Sequence, residues 1–176
     1  MPIGFDLKQS IEILSASPVT LSSLLSDLSD EWLHVNEGVD TWSPFDVVGH
    51  LIHGEKTDWT PRIQIVLSDQ GDKTFTPYDR FAQEKNSVGK SMSQLLDEFQ
   101  QCRASNIRFL KGLNLTPETY QKQGIHPELG RVTLEELLSS WVVHDLGHIV
   151  QVSRVMAKQY KDNCGPWPQY LTVLNT

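Results

Sequence analysis

The run Trp141-Val142-Val143-His144-Asp145-Leu146-Gly147-His148-Ile149-Val150-Gln151 places two histidines four residues apart within a helical rhythm of apolar side chains. On a helical wheel Leu134, Leu138, Trp141, His148, Ile149, Val152 and Met156 share one broad face, with His144 at its flank. Just upstream, Thr133 and Glu136 have the spacing of a capping box, in which a hydroxyl and a carboxylate satisfy the unpaired amides of a first turn. The pattern predicts a helix over residues 134–161. Its two imidazoles project one turn apart, a separation that a single metal ion can bridge. A polar group turned inward must be paired or ligated. The pair therefore reads either as part of a metal site or as two histidines lining a packed surface.

Earlier in the chain, Ser43-Pro44-Phe45-Asp46 combines an N-cap serine, a proline at the first helical position and an acid where the helix dipole favours it. Ser91-Met92-Ser93-Gln94 repeats the capping-box spacing. Apolar residues three and four apart continue from both starts and predict helices over residues 44–67 and 91–113. A further helix is predicted over 6–33, broken near Pro18. Convincing two-residue alternation is absent, and residues 68–90 and 114–132 are rich in Gly, Pro, Asp and Asn, so both are predicted connections. Thr116-Pro117 marks a local helix start in the second. Connections of about twenty residues exceed what adjacent helices need, so they cross the bundle or contribute to a site. Phe75, Tyr78 and Phe81 would anchor the first connection or line a substrate mouth. The expected fold class is all-α, a four-helix bundle forming one domain over residues 1–176.

Composition narrows the function. The 176 residues are 39% hydrophobic and 21% charged, the composition of a soluble globule. Fifteen basic against 22 acidic residues give a net charge of -7, and the basic residues are scattered, which argues against nucleic acid as a partner. No apolar run approaches a membrane span, and residues 1–10 lack the pattern of a secretory signal, so a cytoplasmic protein is expected. Cys102 and Cys164 stand far apart and read as reduced thiols.

Several metal and nucleophile chemistries fail on residue identity. The residue after His144 is Asp145, so the zincin HExxH signature is missing. A di-iron bundle needs two ExxH units, whereas one clear example is present, Glu31-Trp32-Leu33-His34. No cysteine or serine nucleophile arrangement and no phosphate-cradling glycine loop appears. A third ligand for the His144/His148 pair must come from another helix, where Gly49-His50-Leu51-Ile52-His53-Gly54-Glu55 offers two histidines and a glutamate. His50 and His53 lie on opposite flanks of the stripe of Val48, Leu51, Ile52, Trp59 and Ile63, and the wheel does not choose between them. His34 and His126 are expected at the surface.

Trp42-Ser43-Pro44 leading into His50-Leu51, together with the Trp141 to Gln151 run and its continuation Arg154-Val155-Met156-Ala157-Lys158-Gln159-Tyr160, resembles the DinB-like (DinB/YfiT) superfamily of metal-binding four-helix bundles. The resemblance extends from about Trp42 to Gly165-Pro166-Trp167. In that family a histidine of the second helix and the HxxxH pair of the last bind one divalent metal, commonly nickel or zinc; iron also accepts imidazole. By position, the resemblance implies His50, His144 and His148 as the ligands, with His50 preferred to His53 because leucine follows it. It also implies an up-down-down-up helix order with a long crossover between helices two and three, and a homodimer.

The function implied is that of a metal-dependent enzyme acting on a small molecule. Transfer of a low-molecular-weight thiol cosubstrate to an electrophile is the first reading, since an open metal position lowers the pKa of a bound thiol. Metal-dependent hydrolysis is the alternative, through activated water. The remaining class is a non-catalytic, metal-binding, stress-associated bundle. Asp145 or Glu55 is expected to accept a hydrogen bond from a ligand imidazole and fix its tautomer, and Gln151 adds polarity one turn beyond His148. Trp59, Trp141 and Trp32 are expected in the core, with Trp42 and Trp167 closing bundle ends.

Overall fold

The computed structural model describes residues 4–69 and 71–175. Four long helical segments form the bundle: α1 (Leu7–Leu25), α3 (Pro44–Thr57) continued by α4 (Trp59–Leu67), α6 (Met92–Gly112) and α8 (Leu134–Lys158). Short helices α2 (Asp30–Leu33), α5 (Ala82–Asn86) and α7 (Pro117–Tyr120) lie in the connections, and three 3-10 turns follow α8.

The three predicted caps start their helices. Ser43 Oγ accepts from the Asp46 amide at 3.2 Å while Asp46 returns a bond to the Ser43 amide at 2.9 Å. Ser91 with Gln94 and Thr133 with Glu136 make the same reciprocal pair. Thr116 starts α7, as its Thr-Pro sequence predicts.

Helix order follows from which residues share a core. Leu14 packs with Ile107, Leu110, Leu134 and Trp141 in one apolar cluster, and Leu21 and Leu25 pack with Leu95, Phe99 and Val152 in the other. Thus α1 runs with α8 and against α6. Along α3 and its partner segment the contacts ascend together, Gly49 facing Ser87 and Lys56 facing Glu98, so the second and third bundle helices are parallel. The bundle is therefore up-down-down-up, and residues 68–91 supply the crossover this order demands.

Three details of the backbone differ from the sequence expectation. The helix expected over 6–33 breaks after Leu25, before α2, rather than near Pro18, through which α1 runs. The absent amide of Pro18 would have bonded the carbonyl of Leu14, four residues back. That carbonyl instead accepts from Arg103 Nη1 at 2.6 Å. The second long helix is interrupted at Asp58, whose backbone (φ -112, ψ -71) separates α3 from α4.

The third difference is a hairpin in the second connection, β1 (Gln123–His126) paired antiparallel with β2 (Gly130–Thr133). Four residues per strand were too few for alternation to register. The crossover joins it: the Phe75 amide bonds Ile125 O at 2.8 Å, and the Ile125 amide bonds Lys73 O at 2.9 Å. Phe75 is buried against Gly124, where a Cβ would collide with its ring.

Trp59 and Trp141 are core residues with rings stacked 5.5 Å apart. Trp32 is half-buried beside Tyr160 rather than in the core, and Trp167 is 64% exposed rather than closing an end. Among the described residues no helix is long and apolar enough to cross a membrane.

Candidate metal centre

His50 on α3 and the His144/His148 pair on α8 meet where the two antiparallel helices pass. His144 Nε2 lies 3.1 Å from His50 Nε2 and 3.1 Å from His148 Nε2. Among the described residues this is the one cluster of three ligand-type side chains close enough to share an ion. His53, left level with His50 by the wheel, turns away: its ring faces Tyr78, and its Nε2 lies 3.3 Å from Thr57 Oγ1.

The outward nitrogens set the tautomers. His148 Nδ1 donates to Gln151 Oε1 at 2.8 Å, which leaves its Nε2 with a lone pair directed at His144. His50 Nδ1 is 3.0 Å from the Tyr78 hydroxyl. His144 Nδ1 is buried without a hydrogen-bond partner, 4.0 Å from Asp145 Oδ1. Burial pulls the His50 imidazole from its ordinary 6.5 down to about 2, reinforced by repulsion from His148 and His144. His148 falls to about 4 for the same first reason, with His144 adding to the shift and Gln151 opposing it. Both rings are therefore neutral near pH 7, the form that can donate a lone pair to a metal.

These features fit a divalent ion. Two nitrogens each about 2.0–2.1 Å from a common ion would be about 2.9 Å apart at a right angle and about 3.4 Å apart at the tetrahedral angle. The observed 3.1 Å lies between these values. Lone pairs facing one another at that distance repel unless a cation or a shared proton joins them, and three imidazoles suit zinc, nickel, copper or iron.

Glu55 does not reach a ligand imidazole, and Asp145 approaches one only at long range, its Oδ1 4.0 Å from His144 Nδ1. Both are claimed by Arg103, which is fully buried on α6. Its Nη1 and Nη2 reach the two Asp145 oxygens at 2.6 and 3.1 Å, and Nη2 reaches Glu55 Oε1 at 2.7 Å. Trp141 Nε1 and Asn106 Nδ2 complete the Glu55 carboxylate. An unpaired guanidinium at this depth would cost several kcal/mol, so the two carboxylates serve it first. Gln151 is the predicted polar neighbour that does bond a histidine of the cluster.

The cluster opens into a cavity of about 420 Å³, within the range of small-molecule sites. Trp42 lies 4.5 Å, ring to ring, from His50, and Trp59 lies 5.1 Å from His144, so aromatic surface flanks the nitrogens. Tyr78 reaches His50 from the crossover, three residues beyond the buried Phe75. Phe81 is 65% exposed and takes no such part.

Asp58, Arg62 and His126 also line the cavity, and sequence reasoning did not assign them to a site. Asp58 is buried at the α3–α4 junction with Arg62 Nη2 2.6 Å away. Burial raises its carboxyl pKa, with Arg62 opposing. His126, expected at the surface, is half-buried on the cavity wall.

A family model of the DinB superfamily matches residues 13–152. Among solved structures, the chain is similar to YfiT from Bacillus subtilis, described as a probable metal-dependent hydrolase with an unusual four-helix bundle topology. The two share 21% identity, 86% of each chain is covered, and the TM-score is 0.73. At that identity the likeness establishes the fold. No curated protein matches the chain.

Proposed function

This chain belongs to the DinB superfamily, and from that premise we propose that it is a metal-dependent enzyme acting on a small molecule, with His50, His144 and His148 holding one divalent transition metal. The observation that carries the reading is the convergence of three imidazole nitrogens at the floor of an open cavity, with two of the rings oriented through Nδ1 by Tyr78 and Gln151. Three protein ligands with room for another is the arrangement of catalytic rather than structural zinc. The ion would supply Lewis acidity to a water or a thiol brought to it.

The protein's own groups divide the remaining work. Trp42 and Trp59 exclude water from two sides and offer planar surface to a substrate. Tyr78 fixes the His50 ring, and Gln151 fixes that of His148. Asp58, buried with a raised pKa, is the carboxylate placed to exchange a proton with a bound molecule.

Hydrolysis is the better supported chemistry, because the structurally similar YfiT is described as a probable metal-dependent hydrolase. Thiol transfer requires a cosubstrate thiol, since neither Cys102 nor Cys164 lines the cavity. A panel of small esters, amides and electrophiles, assayed on metal-loaded protein with and without added thiol, separates the two. Turnover that needs metal and ignores thiol is the expected result. Absolute thiol dependence establishes transfer, and no metal-dependent turnover with any substrate contradicts the proposal.

A further inference from the structure

The half-buried ring of His126 lies at the edge of the bundle's packing against Phe75, and its hydrogen bonding is fully specified on one side. It ends β1 at the turn of the hairpin. Its Nδ1 accepts from two backbone amides, those of Glu128 and Leu129, each at 3.2 Å. A nitrogen facing two N–H donors is an acceptor, so the ring proton is on Nε2. Nε2 has no protein partner among the described residues, and the ring lines the cavity that holds His50, His144 and His148. The turn thus fixes an N–H donor on a ring that lines the cavity.

A buried guanidinium stands on the same wall. Arg62 is 7% exposed, with its plane 5.2 Å over the Phe75 ring and one nitrogen on Asp58. Phe75 also meets the edge of His126, with ring centroids 6.4 Å apart. One anchor residue therefore positions both donors. Arg80 and Glu128 at the rim are both exposed, and their opposite charges offset each other. With Asp58 paired to Arg62, the charge left in the cavity is that of the ion assigned to the three histidines.

We infer that the cavity takes a small molecule bearing a carboxylate, and that His126 reads that carboxylate through Nε2–H while Arg62 assists. A carboxylate offers the acceptor oxygen that His126 Nε2 lacks, beside a guanidinium already turned to one carboxylate, and hydrogen bonds to a charged acceptor are the stronger kind. Trp42 and Trp59 on the neighbouring walls suit a planar body between the carboxylate and the histidines. The inference rests on the proposed function for the identity of the pocket, and it adds the substrate class and the residue that selects it.

The test uses benzoate and its neutral isostere benzamide as probes on zinc-loaded full-length protein. Binding is measured by calorimetry, the His126 ring resonances by NMR, and zinc by elemental analysis. Benzoate is expected to bind at least about tenfold tighter than benzamide and to shift the His126 resonances. His126→Asn keeps an acceptor for the turn amides but withdraws the donor from the cavity. It should lose about tenfold in benzoate affinity with zinc content unchanged. His126→Phe, which keeps the ring against Phe75, should lose as much.

Equal binding of the two probes, no binding of benzoate, or full affinity in both variants overturns the inference while leaving the metal reading intact. If zinc itself does not bind, the metal reading fails. The same comparison of probes and variants on metal-free protein then decides the inference by the same criteria.

Discussion

Arg103 Nη1 donates to the carbonyl oxygen of Leu14, the oxygen that Pro18 leaves without its helical donor. A proline inside α1 and an arginine inside the apolar stripe of α6 each break a local rule, and together they satisfy one another. Their bond ties α1 to the carboxylates of Glu55 on α3 and Asp145 on α8, so one guanidinium engages all four bundle helices at the level of the histidine cluster.

Removing that guanidinium leaves two buried carboxylates without their cation. Arg103→Met is expected to destabilise the fold by about 3–5 kcal/mol, read from chemical denaturation. Arg103→Lys recovers only part of the loss, because one ammonium cannot reproduce the planar fork that meets Asp145 and Glu55 together. A loss below about 1 kcal/mol for Arg103→Met would contradict this account of the core.

Tyr78 and Gln151 are predicted to matter for metal affinity more than for stability. Tyr78→Phe keeps the ring packed on His53 and His50 but removes the hydroxyl from His50 Nδ1. Gln151→Leu removes the acceptor from His148 Nδ1. Each should weaken zinc binding about 10- to 100-fold in a chelator competition, with the helical circular dichroism unchanged. Unaltered affinity in both variants would show that the outward nitrogens need no orientation.

Gly124→Ala places a methyl group where the Phe75 ring lies. The ring must move, and with it the crossover segment that brings Tyr78 to His50. A loss of about 1–3 kcal/mol is expected from the overpacking. A change in the His50 resonances should accompany it, although position 124 is on the hairpin and distant in sequence from the cluster.

Acid should weaken the joint between the segment after α2 and the end of α8. Glu37 bonds Arg154 at 2.5 Å and Lys158 at 2.7 Å. The Arg154 hydrogen bond is the largest cause pulling its carboxyl from the ordinary 4.5 to about 2. Because the folded pKa is depressed, the contribution is complete above about pH 4.5 and is lost as pH falls through about 2. The stability difference between the parent protein and Glu37→Gln should therefore be constant from neutrality to about pH 5 and shrink across that window. A difference that grows on acidification would reverse the assigned sign.

Helix starts and the His144/His148 pair were legible because caps and helical periodicity are local signals. Ser43, Ser91 and Thr133 begin their helices where the sequence puts them. That His50 rather than His53 faces the His144/His148 pair was not a local signal. It depends on how α3 is rotated against α8, which the resemblance indicated and the wheel did not. Arg103 left a readable sign, a charge in register with Leu96, Phe99, Ile107 and Leu110, but its partners lie on three other helices. His126 and Asp58 left none. One acts through a turn closed by backbone amides, the other through an interruption in a helix whose apolar rhythm continues across it.

The proposed centre of His50, His144 and His148 should hold one divalent metal per chain. The most direct measurement is the stoichiometry of zinc or nickel, by elemental analysis after reconstitution and desalting, in the parent protein and in single alanine variants of His50, His53, His144 and His148. One ion per chain is expected in the parent and in His53→Ala, with loss of the ion in the other three. A parent protein that retains no metal, or a His148→Ala variant that retains as much as the parent, would contradict it.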